Sequence, residues 1–199
     1  MSPLVSGLKQ SPDTAARGAA PTVTILRRAG DWPALLSDAV ARARRAARAA
    51  LTTGRTTGVE RTGLRMTIVL GDDALLQGLN RDWRGQDRPT NVLAFPAAVL
   101  PAPAAGSGPG IEESITLGDV IISCDAVRRE AVAQGKTVGD HFSHLVVHGA
   151  LHLLDYDHEI EPDACCMEAL ERRILAALDV ADPYDPVSPA LRGTWPRGQ

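Results

Sequence analysis

Apolar and polar positions follow two periods along this chain. Residues 21–28 (PTVTILRR) alternate β-branched with polar side chains, the period of a half-buried strand. Residues 64–70 (LRMTIVL), 90–95 (TNVLAF) and 117–123 (LGDVIIS) give three further strands. Between them the spacing shifts to that of helices. Asp31 can cap a helix over residues 32–51, with Pro33 tolerated in its first turn. Asp72 opens a short helix to about residue 83, and Leu75, Leu76 and Leu79 form its apolar stripe. A helix over 125–134 is stopped by Gly135, and Asp140 can cap the next, which runs to about residue 154. A last helix follows Pro162 and ends near residue 178.

The remaining stretches read as loop. Residues 52–63 are rich in Thr and Gly, and 96–110 in Pro, Ala and Gly. The expected organisation is a flexible extension (1–20), one domain (21–179) with a loop insertion at 96–112, and an irregular proline-bearing tail (180–199). Strands come first and helices later, so the fold class is α+β: one compact domain, a mixed four-stranded sheet packed with about five helices.

Composition narrows the function classes. A chain of 199 residues, 44% hydrophobic and 23% charged, can bury a sizeable single core. No run approaches a membrane span, and the N-terminus lacks the apolar region of a secretory signal. Three cysteines, with Cys165 and Cys166 adjacent, make a poor disulfide framework and suit a reducing cytoplasm. Cys165 and Cys166 read as small apolar positions of the last helix. The net charge of −3 hides an asymmetry, because residues 1–100 carry fourteen Lys/Arg against eight Asp/Glu and residues 101–199 seven against sixteen. Arginines at 42, 44, 45 and 48, then 81, 84 and 88, permit nucleic-acid contact. A solvated helix face explains the first cluster equally well.

All five histidines fall between His141 and His158. His141, His144, His148 and His152 are spaced three, four and four apart, which puts them on one helix face. His148, His152 and His158 form H-x-x-x-H-x-x-x-x-x-H, which suits three imidazoles on one metal with a fourth position open. The same spacing occurs in metallopeptidases. Their general-base glutamate is replaced here by Gly149 and their turn glycine by Asp155, which tolerates a left-handed conformation. A peptidase is therefore a weak reading, and Gly149 leaves room for a bulky phosphate. His141 and His144 read as substrate contacts or surface residues, with a supporting role behind the ligands as the other option. Asp155, Asp157 and Glu159 crowd the third histidine, and one of them can orient an imidazole. Asp119 is a candidate polar group on the strand beside the metal helix.

The run HGALHLLDYDH closely resembles the signature of the YbeY family, the bacterial rRNA maturation factors described as metal-dependent endoribonucleases. Only Asp155 departs from it, where that family has glycine. LNRDWRGQDRPTNVLAFP (79–96), LGDVIIS (117–123) and MEALERRIL (167–175) resemble three further blocks of the same family. Ala94 replaces its serine, and Trp83 stands at its usual Tyr or Phe.

The resemblance implies a zincin-like fold and one divalent metal, zinc first, on His148, His152 and His158. It implies a functional arginine at Arg84 and single-strand-type endoribonuclease action on rRNA, in 3′-end maturation of the small-subunit RNA and in ribosome quality control. The implied partners are the small ribosomal subunit, ribosomal proteins and an assembly GTPase. Catalysis would rest on Arg84 and His148, with His144, Asp119 and Asp157 as substrate contacts or supporting groups. Read from spacing alone, Arg84 can instead pair with Asp82 or Asp87. A non-catalytic assembly factor with a metal-stabilised fold is the alternative function. An aromatic content of 4% offers few stacking platforms, so weak RNA sequence preference is expected.

Overall fold

The computed structural model describes residues 20–54, 63–97, 114–157 and 161–185, without the side chains of 161 and 162. The expected N-terminal extension, most of the 96–112 insertion and most of the tail lie outside these residues.

Four strands form one sheet: β1 (Thr22–Arg27), β2 (Arg65–Gly71), β3 (Val92–Pro96) and β4 (Thr116–Ser123), in the order β1-β2-β4-β3. The pairs β1/β2 and β2/β4 are parallel, and β3 runs antiparallel along the β4 edge. The sheet is therefore mixed, as expected. Its central strand β4 is buried at Leu117, Val120, Ile121 and Ile122, as a strand covered on both faces must be.

Six helices pack with the sheet: α1 (Trp32–Leu35), α2 (Ala39–Thr53), α3 (Asp73–Arg84), α4 (Cys124–Gln134), α5 (Val138–His152) and α6 (Glu161–Ala176). The extra helix comes from a break in the expected 32–51 segment. Leu36 turns extended, and the chain restarts at Ala39 after Asp38. The first turn is held apart by Trp32, which is buried on Phe142 and donates from Nε1 to the Gly71 carbonyl at 2.9 Å. In α2 the buried positions are Ala39, Ala43, Ala46, Ala47, Ala50 and Leu51, all but the last small residues that let it approach α5 closely. Arg44, Arg45 and Arg48 are left on the exposed side.

The main core lies between the sheet and α2, α5 and α6. A smaller cluster, Leu76, Leu93 and Ile121, sits under α3 on the other face. Caps set the ends that matter for the site. The Asp72 side chain accepts from Leu75 N at 2.9 Å, and Gly85 at φ 66° closes α3 immediately after Arg84. Thr137, rather than Asp140, caps α5, accepting from Asp140 N at 3.0 Å. Asp140 instead lies in the first turn, where a carboxylate favours the positive end of the helix dipole.

Candidate metal centre

The last turn of α5 delivers His148 and His152, and the chain then reverses. Tyr156 N donates to the Leu151 carbonyl at 3.1 Å, and Asp155 takes the left-handed conformation at φ 65°. The turn that glycine makes elsewhere thus survives with aspartate.

His148 Nε2 lies 3.1 Å from His152 Nε2. The other nitrogen of His148, Nδ1, is 2.9 Å from Glu171 Oε1 on α6. Glu171 is fully buried, at 0% exposure. Its Oε2 accepts from His144 Nε2 at 2.9 Å and, through a shorter contact, from the Tyr184 hydroxyl. Burial alone would push this carboxyl up, yet the hydrogen bonds from His144, His148 and Tyr184 outweigh it and hold the pKa at about 2. An ionised carboxylate only accepts, so His148 donates to it from Nδ1, and Nε2 is the nitrogen that faces His152. Tyr184 is shifted the opposite way, its hydroxyl pKa raised by burial and by the Glu171 charge.

These residues suit a cation. Two imidazole ligands on a tetrahedral zinc, each at about 2.0–2.1 Å, stand roughly 3.3–3.4 Å apart. The observed pair is close to that separation. It lies at the C-terminal end of α5, where the helix dipole also favours positive charge. His144, His148 and Glu171 form a second group that could hold a metal ion, with ligand atoms within 4.8 Å of one another. Both contacts inside that group are already hydrogen bonds of 2.9 Å, and Glu171 accepts a third. An ion there would displace them, so we read Glu171 as the group that orients His148 from behind. His158 lies outside the described residues.

A cleft of about 840 Å³ opens beside the pair, lined by His148, His152, Arg84, Asn91, Asp155 and Asp157 among others. Arg84 arrives from the end of α3. The alternative partners for Arg84 are engaged elsewhere, since Asp82 accepts from Arg81 at 2.9 Å and Asp87 from Gln77 at 2.9 Å. Asp157 also lines the cleft.

Asp119 does not line it. Strand alternation sends Val120 toward α5, so the exposed Asp119 points to the opposite face of β4. Gly149 lines the cleft between the two histidines and has a packing role as well. A Cβ there would sit 2.6 Å from Val120 Cγ1, so glycine lets α5 press onto the sheet. Neither His141 nor His144 is a surface group or a cleft residue. His141 is buried, with Nε2 2.8 Å from Glu130 Oε2, and His144 is held by Glu171. Glu130 also accepts from Asn91 Nδ2 at 3.0 Å, and these hydrogen bonds lower its pKa. Cys165 and Cys166 are exposed, not core positions.

Sequence reasoning gave Glu171 no role. The available signal was a glutamate inside the apolar stripe Met167, Leu170, Ile174 and Leu175, since a buried charge needs partners. Tyr184 carried no such signal.

A family model described as endoribonuclease YbeY matches residues 37–179. Curated relatives carrying that name come from Paramagnetospirillum magneticum, 51% identical over 77% of this chain and 89% of the relative, and from Parvibaculum lavamentivorans, 47% identical over 81% and 84%. A third, from Rhodospirillum rubrum, is 46% identical over 78% and 77%. A solution structure of a Thermotoga maritima protein aligns with 82% of this chain and 99% of its own, at 21% identity and a TM-score of 0.45.

Proposed function

This chain belongs to the endoribonuclease YbeY family, and from that premise we propose that it is a metal-dependent endoribonuclease of rRNA processing. Its substrate is the precursor of the small-subunit rRNA, its tasks 3′-end maturation and ribosome quality control. It works in the cytoplasm with the small subunit, its proteins and an assembly GTPase. One observation carries the reading: Arg84 and the paired His148 and His152 face the same cleft.

His148, His152 and His158 would hold the ion, with zinc as our assignment. A divalent ion on three neutral imidazoles keeps its full charge, which supplies activation of water and polarisation of a phosphoryl oxygen. The chain's own residues do the rest. Glu171 fixes the His148 tautomer and ring orientation. Arg84 grips a phosphate through parallel hydrogen bonds and stabilises charge growing on it in the transition state. Asp157, on the cleft wall, faces the same substrate. Position 149 carries glycine where a peptidase of this spacing carries its general-base glutamate, so peptide hydrolysis is the weaker reading.

The test is cleavage of a small-subunit rRNA precursor by zinc-loaded protein beside His152→Ala and Arg84→Ala. The expected result is cleavage by the wild type, none by the first variant, and a loss of about 100-fold or more in the second. Equal cleavage by wild type and His152→Ala would contradict the assignment. Tight binding to small-subunit particles with no cleavage would favour the assembly-factor reading. The product ends, cyclic phosphate or free hydroxyl, distinguish attack by the 2′-hydroxyl from attack by water.

A further inference from the structure

Trp83 is 73% exposed, and it is the one aromatic side chain classed as exposed among the described residues. It continues the apolar stripe of α3 four residues beyond Leu79, past the point where the sheet can cover it. Among the described residues its ring contact is with Phe95, at 5.9 Å between centroids and near edge-on. That contact steadies the indole and leaves most of it to solvent. Folding does not require so large an apolar group there, and leaving an indole in water forfeits the gain from its burial.

Its surroundings point to a ligand class. β3 is an edge strand of the sheet, and its residues Val92, Ala94 and Pro96 line the metal-side cleft. Phe95 faces the other way, so Trp83 sits just across this edge strand from the cleft. The next residue, Arg84, lines the cleft itself. Among the described residues, the exposed Arg88 guanidinium donates to the neutral Gln86 side chain and makes no ion pair. An aromatic face beside uncompensated guanidinium groups fits a chain that alternates phosphates with flat bases, and fits an apolar protein surface poorly.

We infer that Trp83 is a stacking platform for one nucleobase of single-stranded RNA, adjacent to the phosphate that Arg84 holds. The strand would leave the cleft over β3 and lay a base on the indole. Only an unstacked base can do so, because duplex bases have both faces covered. The inference rests on the RNA-cleaving reading above and adds to it a named residue, Trp83, that holds one base of the unpaired strand beside the cleft.

The test measures binding, not cleavage. A labelled, short 2′-O-methyl oligoadenylate keeps bases and phosphates and resists self-cleavage. Its affinity for the full chain is read by fluorescence anisotropy with wild type, Trp83→Phe and Trp83→Leu. Because Trp83 is exposed, all three should melt alike. Trp83→Leu should bind about tenfold more weakly, and Trp83→Phe should keep most of the affinity. A single abasic site moved along the oligonucleotide should cost wild type a similar factor at one position and cost Trp83→Leu nothing there. Equal binding by wild type and Trp83→Leu, or the same abasic penalty in both, would overturn the platform and leave the indole as an anchor for a protein. Failure of wild type itself to bind the oligonucleotide would sink the RNA-cleaving reading first, and this inference with it.

Discussion

Four histidines share one face of α5, yet they divide into two pairs with different chemistry. His141 and His144 each meet a carboxylate, Glu130 from α4 and Glu171 from α6. His148 and His152 meet each other across 3.1 Å at the wall of an open cleft. Helical spacing is the same for both pairs. The difference lies in what the facing elements supply: carboxylate acceptors along the first turns, Glu171 buried and Glu130 partly so, and open space at the last. Residue type and period therefore name a face, and the tertiary surroundings divide it into scaffold and site. Glu171 joins the two halves, because it accepts from His144 on one side and from His148 on the other.

The comparison breaks first at Glu171. Glu171→Gln keeps the shape but leaves one acceptor oxygen and turns N–H donors toward imidazole N–H groups. Metal affinity should fall roughly 10–100-fold, as for other residues that orient a metal-bound histidine. Titration against a competing chelator measures it, and unchanged affinity would detach Glu171 from the metal. Gly149→Ala should come next. The added methyl meets Val120 and pushes α5 from the sheet, at a cost of about 1–3 kcal/mol in chemical denaturation. A neutral result would mean that α5 is free to shift.

The smallest effect concerns the scaffold pair. The hydrogen bond from His141, with that from Asn91, holds the Glu130 carboxyl below its ordinary value of 4.5 against the opposing effect of burial. A carboxyl whose pKa is depressed by folding stabilises fully above its unfolded value. That contribution is lost as pH falls through about 4.5 and on to the lower folded value. Glu130→Gln should therefore be less stable than wild type at neutral pH, by about 1 kcal/mol, with the gap closing in acid. A gap that stays constant from pH 7 to pH 3 would show that Glu130 is not held ionised by these partners.

Much of the fold was legible because its signals are local. Alternation marked β1 and short apolar, β-branched runs marked the other three strands, and the Asp72 cap and the Gly85 and Gly135 ends behave as their residue types require. The helix expected over 32–51 splits because Trp32 is drawn inward to Gly71, a contact 39 residues away that no local pattern encodes. The site follows the same division. The α5 histidines announce themselves by spacing, and Arg84 by resemblance. Asp119 misled because strand adjacency says nothing about which face a side chain takes. Tyr184 reaches Glu171 from the segment after α6, beyond the residues matched by the family model, and the sequence gives no hint of that return.

The central claim is that the ion sits on His148 and His152 in the cleft, and not among His144, His148 and Glu171. Zinc stoichiometry of His152→Ala beside His144→Ala at saturating metal tests it most directly. The account predicts one equivalent in His144→Ala, held less tightly than in wild type, and none in His152→Ala. Full occupancy in His152→Ala with loss in His144→Ala would contradict it and move the ion behind the helix, onto Glu171.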